Sequence, residues 1–213
     1  VKALSVKARL IAFEGGEGSG KSTQAARLAR RLEAVLTREP GGTAVGAAIR
    51  SILLDPVVEH LDTRAETLLM AADRAQHVAE VIAPALAAGR HVVTDRFAGS
   101  SLAYQGHGRG LPVEEVERIS RWAAAGIRPD LVVLLEVSPE VAAERTGGAR
   151  DRMEAAGDAF HRRVAEGYRA LAAADPQRWV TLDGGGDPDV VEAAVWDAVL
   201  ARCPDLDPSG SRP

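Results

Sequence analysis

Apolar and polar positions along the chain alternate between two spacings. Short apolar runs at "RLIAFEG" (9–15), "HVVTDRF" (91–97), "DLVVLLEV" (130–137) and "WVTLDG" (179–184) predict strands. Between them apolar residues return at helical intervals. Ala25, Leu28, Ala29, Leu32 and Leu36 share one face of a helix predicted over 21–36. Further helices are predicted over 43–54, about 62–88 with Leu68, Leu69, Ala72 and Ala75 on one side, 113–125 ending near Gly126, 139–146, 160–174 and 188–202. "AVLTREP" (34–40) begins with a short strand that Pro40 ends. Trp122 and Trp196 fall on helical faces and are expected in the core. The tail "PDLDPSGSRP" (204–213) predicts disorder, and residues 1–8 a flexible start.

Strands alternating with helices imply βαβ units: an α/β fold with a parallel sheet covered on both faces. No internal repeat or Pro- or Ser-rich linker divides the chain, so 9–202 is expected to be a single domain. In such sheets ligands sit at the carboxyl ends of the strands. The charged and glycine-rich clusters fall there, at 15–23, 37–42, 95–96 and 136–140.

Composition narrows the chemistry. The 213 residues are 46% hydrophobic, 26% charged and 4% aromatic, which predicts cores of Leu, Val and Ala. A net charge of −4 gives no global attraction to nucleic acid or anionic membrane. Cys203 is the only cysteine, so no disulfide forms within the chain and a thiolate metal site is not expected. That suits a reducing cytoplasm. No apolar run approaches the length of a membrane span, and "VKALSVKARL" does not read as a signal peptide.

"GGEGSGKST" (15–23) is the strongest chemical signal. Gly15, Gly20, Lys21 and Ser22 fit G-x-x-x-x-G-K-[ST], in the required order of strand, loop and helix. Gly15, Gly16, Gly18 and Gly20, with Glu17 and Ser19 between them, let backbone N–H groups wrap a phosphate at a helix start. Lys21 reaches outer phosphates, the Ser22 hydroxyl suits Mg²⁺, and Thr23 extends the loop into the helix. The alternative is a plain glycine-rich turn. No N-K-x-D motif follows, which disfavours a GTPase switch. At the end of the strand over 91–97, Asp95 either orders a Mg²⁺ shell or ties down its neighbour. Arg96 offers a rigid fork matched to phosphate, or forms a structural ion pair.

"TREPGGT" (37–43), "AADRAQHV" (71–78), "DRF…SSLAYQG.GRG" (95–110), "RPDLVVLLEVSPE" (128–140) and "FHRRVAEGY" (160–168) together resemble the bacterial thymidylate kinases. The resemblance runs in order from about residue 9 to 200. It implies transfer of the γ-phosphoryl of ATP to dTMP with Mg²⁺, a P-loop NTPase-type sheet of five parallel strands wrapped by helices, a lid, and a homodimer. By the same resemblance Glu17 lies near the sugar 3′-hydroxyl and Arg96 grips the acceptor phosphate. Arg38, Glu39 and Pro40 line the pocket, and Arg50 stands on the thymine and phosphate side. Arg74 hydrogen-bonds thymine, while Ser101, Tyr104 and Gln105 complete the base site. Residues 145–154 match the lid over ATP. The P-loop carries no arginine, so the lid supplies it: Arg150 or Arg152, with "DRME" favouring Arg152. Two features depart from the family: Met70 replaces the usual Phe against thymine, and the lid is short and glycine-rich at "TGGA" (146–149).

The residues agree with that chemistry independently. A phosphate monoester has a second pKa of about 6 and needs no general base at neutral pH. Transfer between two anions calls for cations, Mg²⁺ and amides. Lys21, Arg96 and a lid arginine supply them, with Gly147 and Gly148 as lid hinges. Arg145 either lies on adenine by cation–π contact or pairs with Glu144 or Glu154. His77, His107 and His161 are expected in surface or packing roles, and Gly184–Gly186 as a turn. A kinase for dUMP or dCMP, and an ATP-gripping regulator without turnover, remain the alternatives.

Overall fold

The computed structural model describes residues 7–58, 60–147 and 151–207. Strands Leu10–Glu14 (β1), Val35–Arg38 (β2), Val92–Asp95 (β3), Leu131–Glu136 (β4) and Trp179–Asp183 (β5) form one sheet in the order β2-β3-β1-β4-β5. All neighbours are parallel. The chain fills one side of β1 with β2 and β3, then crosses to add β4 and β5. The reversal puts a crevice at the carboxyl end of β1, where residues 15–20 lie. The helices are Lys21–Arg31 (α1), Ala44–Leu54 (α2), Thr63–His77 (α3), Ala83–Ala87 (α4), Ala98–Ser101 (α5), Val113–Ala123 (α6), Pro139–Arg145 (α7), Asp158–Ala174 (α8) and Pro188–Arg202 (α9).

β1 is buried throughout, as an uninterrupted apolar run requires when helices cover both faces. Its side chains alternate between two cores. Ile11 and Phe13 pack with Ala25 and Leu28 of α1 and Val195 and Val199 of α9. Leu10 and Ala12 face the opposite layer, with Val78, Ile82, Ala85 and Phe97. Phe13 is fully buried. Truncating it to Ala is expected to cost about 3–5 kcal/mol.

The elements predicted from spacing are present, with four differences. Helix α1 stops at Arg31 rather than 36 because Glu33 enters the left-handed region at φ 51, and the chain turns into β2. Leu36, expected on the helix, sits half-exposed on that edge strand. The helix predicted over 62–88 is interrupted by a π-helical turn at Val78–Ile82, just before Pro84, whose missing N–H breaks the helical ladder. In α3 the stripe of Leu68, Leu69, Ala72 and Ala75 is turned away from the core, with Leu68 59% exposed. The buried face carries Glu66, Thr67, Met70, Ala71, Asp73, Arg74 and His77 instead. Trp122 is 82% exposed and does not pack the core. Trp196 does, with Arg31 3.9 Å above its ring.

The C-terminal expectation also needs correction, since 204–207 are not loose. Leu206 is buried in the core beside Cys203, and Asp205 accepts from Arg9 Nη2 at 2.9 Å. At the other end Lys7 pairs with Asp130. Residues 1–6 and 208–213 lie outside the described residues.

Candidate active site

The loop from β1 to α1 has the backbone its glycines allow. Gly15 has φ 145, and a Cβ there would strike the Leu135 carbonyl. Gly20, at φ 85, caps α1, and no atom lies within 4 Å of where its Cβ would be. The loop thus leaves open space at the start of α1, where a helix N-terminus favours an anion. Lys21 is 6% exposed and curls back over the loop, donating to Gly16 O at 2.6 Å and Ser19 Oγ at 3.2 Å. Burial, then repulsion from Arg96, lowers its pKa to about 8. An arriving phosphate opposes both effects.

Ser22 donates its hydroxyl to Asp95 Oδ2, while Asp95 Oδ1 is buried with no hydrogen-bond partner. A hydroxyl and a carboxylate with a spare oxygen fit a divalent cation that takes its other ligands from phosphates and water. Among the described residues no group of three or more His, Cys, Asp or Glu is placed to hold a metal by itself.

Arg96 follows β3 with φ 73, an unfavourable conformation for a side-chain-bearing residue. Its amide donates to Phe13 O at 2.9 Å, which fixes the turn. Nη1 donates to Gly15 O (3.1 Å), Ser100 Oγ (3.0 Å) and Tyr168 Oη (3.1 Å). Nη2 donates to Glu17 and to Tyr104 Oη (3.2 Å). Burial raises the Glu17 pKa, but Arg96 and Lys21 outweigh it and the net direction is down. Beneath this cluster, Glu14 is fully buried, its carboxylate receiving Phe97 N, Ser100 N, Ser100 Oγ and Tyr168 Oη.

Lys21 and Arg96 open onto the same cavity, of about 220 Å³. Ser22, Asp95, Arg38 and Glu17 border it with them, and Arg50, Glu39 and Pro40 form a side wall. Met70, Tyr104 and Gln105 also line it, alongside Leu53, Leu54 and Glu66. The residues predicted to bind the acceptor thus meet around one space, with two exceptions. Arg74 is fully buried behind the wall, donating to Glu39 Oε2, Ser120 Oγ, Phe97 O and Ser101 Oγ. Ser101 is occupied with it and buried, and the neighbouring Ser100 borders the cavity instead. The 38–42 loop is held by one face of α3. Arg74 and His77 Nδ1 take the two oxygens of Glu39, Asp73 Oδ1 accepts Gly41 N at 2.9 Å, and His77 Nε2 meets Thr37 Oγ1 at 2.6 Å.

The lid residues separate. Gly148, Ala149 and Arg150 lie outside the described residues. Arg145 bonds to neither Glu144 nor Glu154. It donates to the carbonyls of Gly18 (3.2 Å), Gly184 (2.8 Å) and Gly185 (3.0 Å), tying the phosphate loop to the turn after β5. Arg152 does not border the cavity; it donates to Glu66 Oε2 (2.7 Å) and Leu53 O (2.8 Å). His107 is packed against Gly167, and His161 lies 3.1 Å from Glu154 O.

Sequence reasoning passed over Glu14, Glu66, Ser100, Arg109 and Tyr168. A charged Glu ending a wholly apolar strand was a usable signal for Glu14, and Glu66 stands one helical turn before Met70. The Tyr168–Arg96 contact spans 72 residues and leaves no local pattern.

The fold and a phosphate loop that opens onto one cation-lined cavity define a P-loop phosphotransferase. The chain belongs to the thymidylate kinase family, whose model, described as "Thymidylate kinase", matches residues 13–195. A thymidylate kinase of Synechococcus sp. (strain JA-3-3Ab) is 51% identical over 90% of this chain and 95% of its own. That of Solidesulfovibrio magneticus is 50% identical over 89% and 97%. The crystal structure of thymidylate kinase from Ehrlichia chaffeensis superposes with a TM-score of 0.75 at 29% identity, covering 90% of this chain and 98% of that one.

Proposed function

We propose that this site transfers the γ-phosphoryl group of ATP to dTMP, giving dTDP. The observation that carries it is the shared cavity: Lys21 of the phosphate loop and Arg96 of the second strand edge face one space, and that space continues to Met70 and Gln105. A coupled ADP-release assay across nucleoside monophosphates tests it. dTMP must be the preferred acceptor. Faster turnover of dUMP or dCMP would assign another pyrimidine, and ATP binding without turnover of any monophosphate would assign a regulator.

In this reading the phosphate loop, 15–23, holds the ATP phosphates, with Lys21 on the transferring group. Arg96 holds the acceptor phosphate, which at neutral pH is a dianion and attacks without a base. The two anions repel, so the barrier falls when fixed cations and amides cancel that repulsion in the aligned geometry. Arg96 is suited to this because Glu17, Gly15 O and Tyr104 aim its guanidinium before substrate arrives. Ser22 and Asp95 are the residues that would hold Mg²⁺, which when bound supplies neutralising charge on the phosphoryl oxygens. Arg38, Glu39, Pro40, Arg50, Tyr104 and Gln105 shape the acceptor pocket, and Met70 offers a thioether to the base. Arg74 acts from behind by holding Glu39. Arg145 reaches the adenine side only by exchanging its carbonyl contacts.

We further propose a homodimer in a cytoplasmic setting. The support for the dimer is the outward apolar stripe of α3, flanked by Val45 and Ile52 exposed on α2 and by Trp122 on α6, the helices on which α3 packs. Exposed apolar groups at helical spacing on adjacent helices favour a second copy. The support for the compartment is the single, buried thiol of Cys203. Among the described residues no helix is long and apolar enough to cross a membrane.

A further inference from the structure

Glu66 stands on the first turn of α3 and borders the acceptor cavity, yet nothing in phosphoryl transfer requires a carboxylate there. It is 1% exposed. Oε1 accepts from Gln105 Nε2 at 2.9 Å and Arg109 Nε at 3.2 Å. Oε2 accepts from Arg109 Nη2 at 3.1 Å and Arg152 Nη2 at 2.7 Å. Burial raises its pKa, but the bonds from Arg109, Gln105 and Arg152 outweigh it and hold the group ionised.

Arg152 does more than pair. Its Nε donates to Leu53 O at 2.8 Å and its amide to Leu54 O at 3.2 Å. Those are the last two residues of α2, whose carbonyls have no partner within the helix. One residue thus joins three elements: the 151–153 segment, the end of α2 and the start of α3. Met153, beside it, borders the cavity and packs against the cluster of Tyr104 and Phe160. Its sulfur lies 3.4 Å from Arg152 Nη2 and 3.6 Å from Arg109 Nη2. A guanidinium committed to a buried carboxylate and a helix-end carbonyl is neutralised and fixed. The cation that follows a moving phosphoryl group must be free to reach it.

We propose that Glu66 is a positioning residue for the acceptor nucleotide. Through Arg152 and Arg109 it clasps residues 151–153 to the end of α2, and that clasp sets the wall the acceptor base meets. Arg152 then serves the acceptor pocket rather than the transferring phosphoryl group. The inference rests on reading this cavity as the acceptor site.

The test is Glu66→Gln, which keeps the shape and removes the charge. dTMP affinity by calorimetry and steady-state kinetics are read together. The expected result is a rise of about tenfold in both Kd and KM for dTMP, the size of one lost charge-assisted contact. kcat should fall less than about threefold, and KM for ATP should stay put. Arg152→Ala, in a less buried position, should shift dTMP in the same direction, and it carries the test if Glu66→Gln fails to fold. The double variant should be no worse than Arg152→Ala alone within about twofold, because the two residues act as a unit. The proposal is overturned if Arg152→Ala collapses kcat about a hundredfold with dTMP affinity intact, or if Glu66→Gln leaves dTMP affinity unchanged. Wild-type protein that binds ATP but does not phosphorylate dTMP overturns the acceptor reading, and the clasp with it. Wild-type phosphorylation of dTMP with an unchanged Kd and kcat/KM for dTMP in Glu66→Gln overturns the clasp alone.

Discussion

Removing one oxygen atom at Tyr168 tests whether the phosphate clamp is aimed from beneath. The hydroxyl lies 3.0 Å from Glu14 Oε2, 2.9 Å from Ser100 Oγ and 3.1 Å from Arg96 Nη1. It therefore joins a fully buried carboxylate to the proposed acceptor clamp. Phenylalanine keeps the ring and its edge contact with Tyr104, whose centroid is 6.3 Å away. A hydrogen bond to a charged group contributes about 1.5–3 kcal/mol. Glu14 keeps its donors from Phe97 N, Ser100 N and Ser100 Oγ, so it is not orphaned and the lower part of that range applies. We expect Tyr168→Phe to cost about 2 kcal/mol. For a domain of this size that lowers Tm by roughly 4–8 °C.

The loss should depend on pH with a definite sign. Burial raises the Glu14 pKa above its ordinary value, and the bonds from Ser100, Phe97 and Tyr168 only partly offset it. A carboxyl whose folded pKa is raised contributes stability below its unfolded pKa and loses it as pH rises through the folded value. Deleting the Tyr168 donor raises the folded pKa further. The deficit of the variant should therefore be small near pH 4 and grow towards pH 8. Thermal denaturation at the two pH values measures it. Turnover should fall about three- to tenfold, since Arg96 keeps Gly15 O, Ser100 and Glu17 but loses one anchor. A variant with unchanged Tm at pH 8 and unchanged kcat would refute the linkage. A kcat loss as deep as that of Arg96→Ala would show that the phenol touches substrate directly.

Arg96→Ala should lower kcat by about two to three orders of magnitude while ATP affinity changes little, measured by single-turnover kinetics and equilibrium binding. Met70→Phe should tighten dTMP about two- to tenfold if the side chain meets the base, because a ring adds about 0.5–1.5 kcal/mol of stacking; unchanged affinity would place residue 70 against something else. Asp73 is buried with Oδ2 unpartnered, and burial, then the charge of Glu39, raises its pKa to about 6 from 3.8. Its contribution to stability is present below pH 4 and lost as pH rises through about 6, so Asp73→Asn should gain on wild type by about 1–3 kcal/mol between pH 4.5 and 7.5 in denaturant unfolding. Leu68→Glu, on the outward stripe of α3, should convert a dimer to a monomer of about 22.4 kDa in light scattering, and a dimer that survives would move the interface elsewhere.

What the sequence showed and what it hid follow from how far apart the interacting residues stand. β1 and the phosphate loop were legible because strand, glycines, Lys21 and Ser22 are contiguous, and local backbone demands choose those residue types. β3 and β4 were legible because a strand covered on both faces must be apolar throughout. The end of α1 was not, because a single left-handed residue, Glu33, overrides good helix formers before it. Arg74 was placed on thymine by its position in a motif, yet its donors are taken by Glu39, Ser120, Phe97 and Ser101 from three other segments. Trp122 was placed in the core because a large aromatic on a helix usually belongs there, and nothing local marks which side of α6 the layer covers.

Helix α3 explains the largest misreading, and in doing so joins the fold to the site. Amphipathic reasoning sends the apolar stripe inward, which assumes that the inside is a hydrophobic core. Here the inside of α3 is the back wall of the proposed acceptor pocket. Glu66, Met70, Asp73, Arg74 and His77 lie at successive helical turns on that face, where they hold Arg152, border the cavity and fix the 38–42 loop. A polar inner face is tolerable only because nearly every group on it is paired, with Asp73 Oδ2 the exception among these side chains. The apolar residues then have only the outer face to occupy, where water makes them costly unless something covers them. An inverted helix of this kind would tie the proposed acceptor pocket to the proposed dimer: the residues that make one face a cavity wall leave the apolar residues on the other.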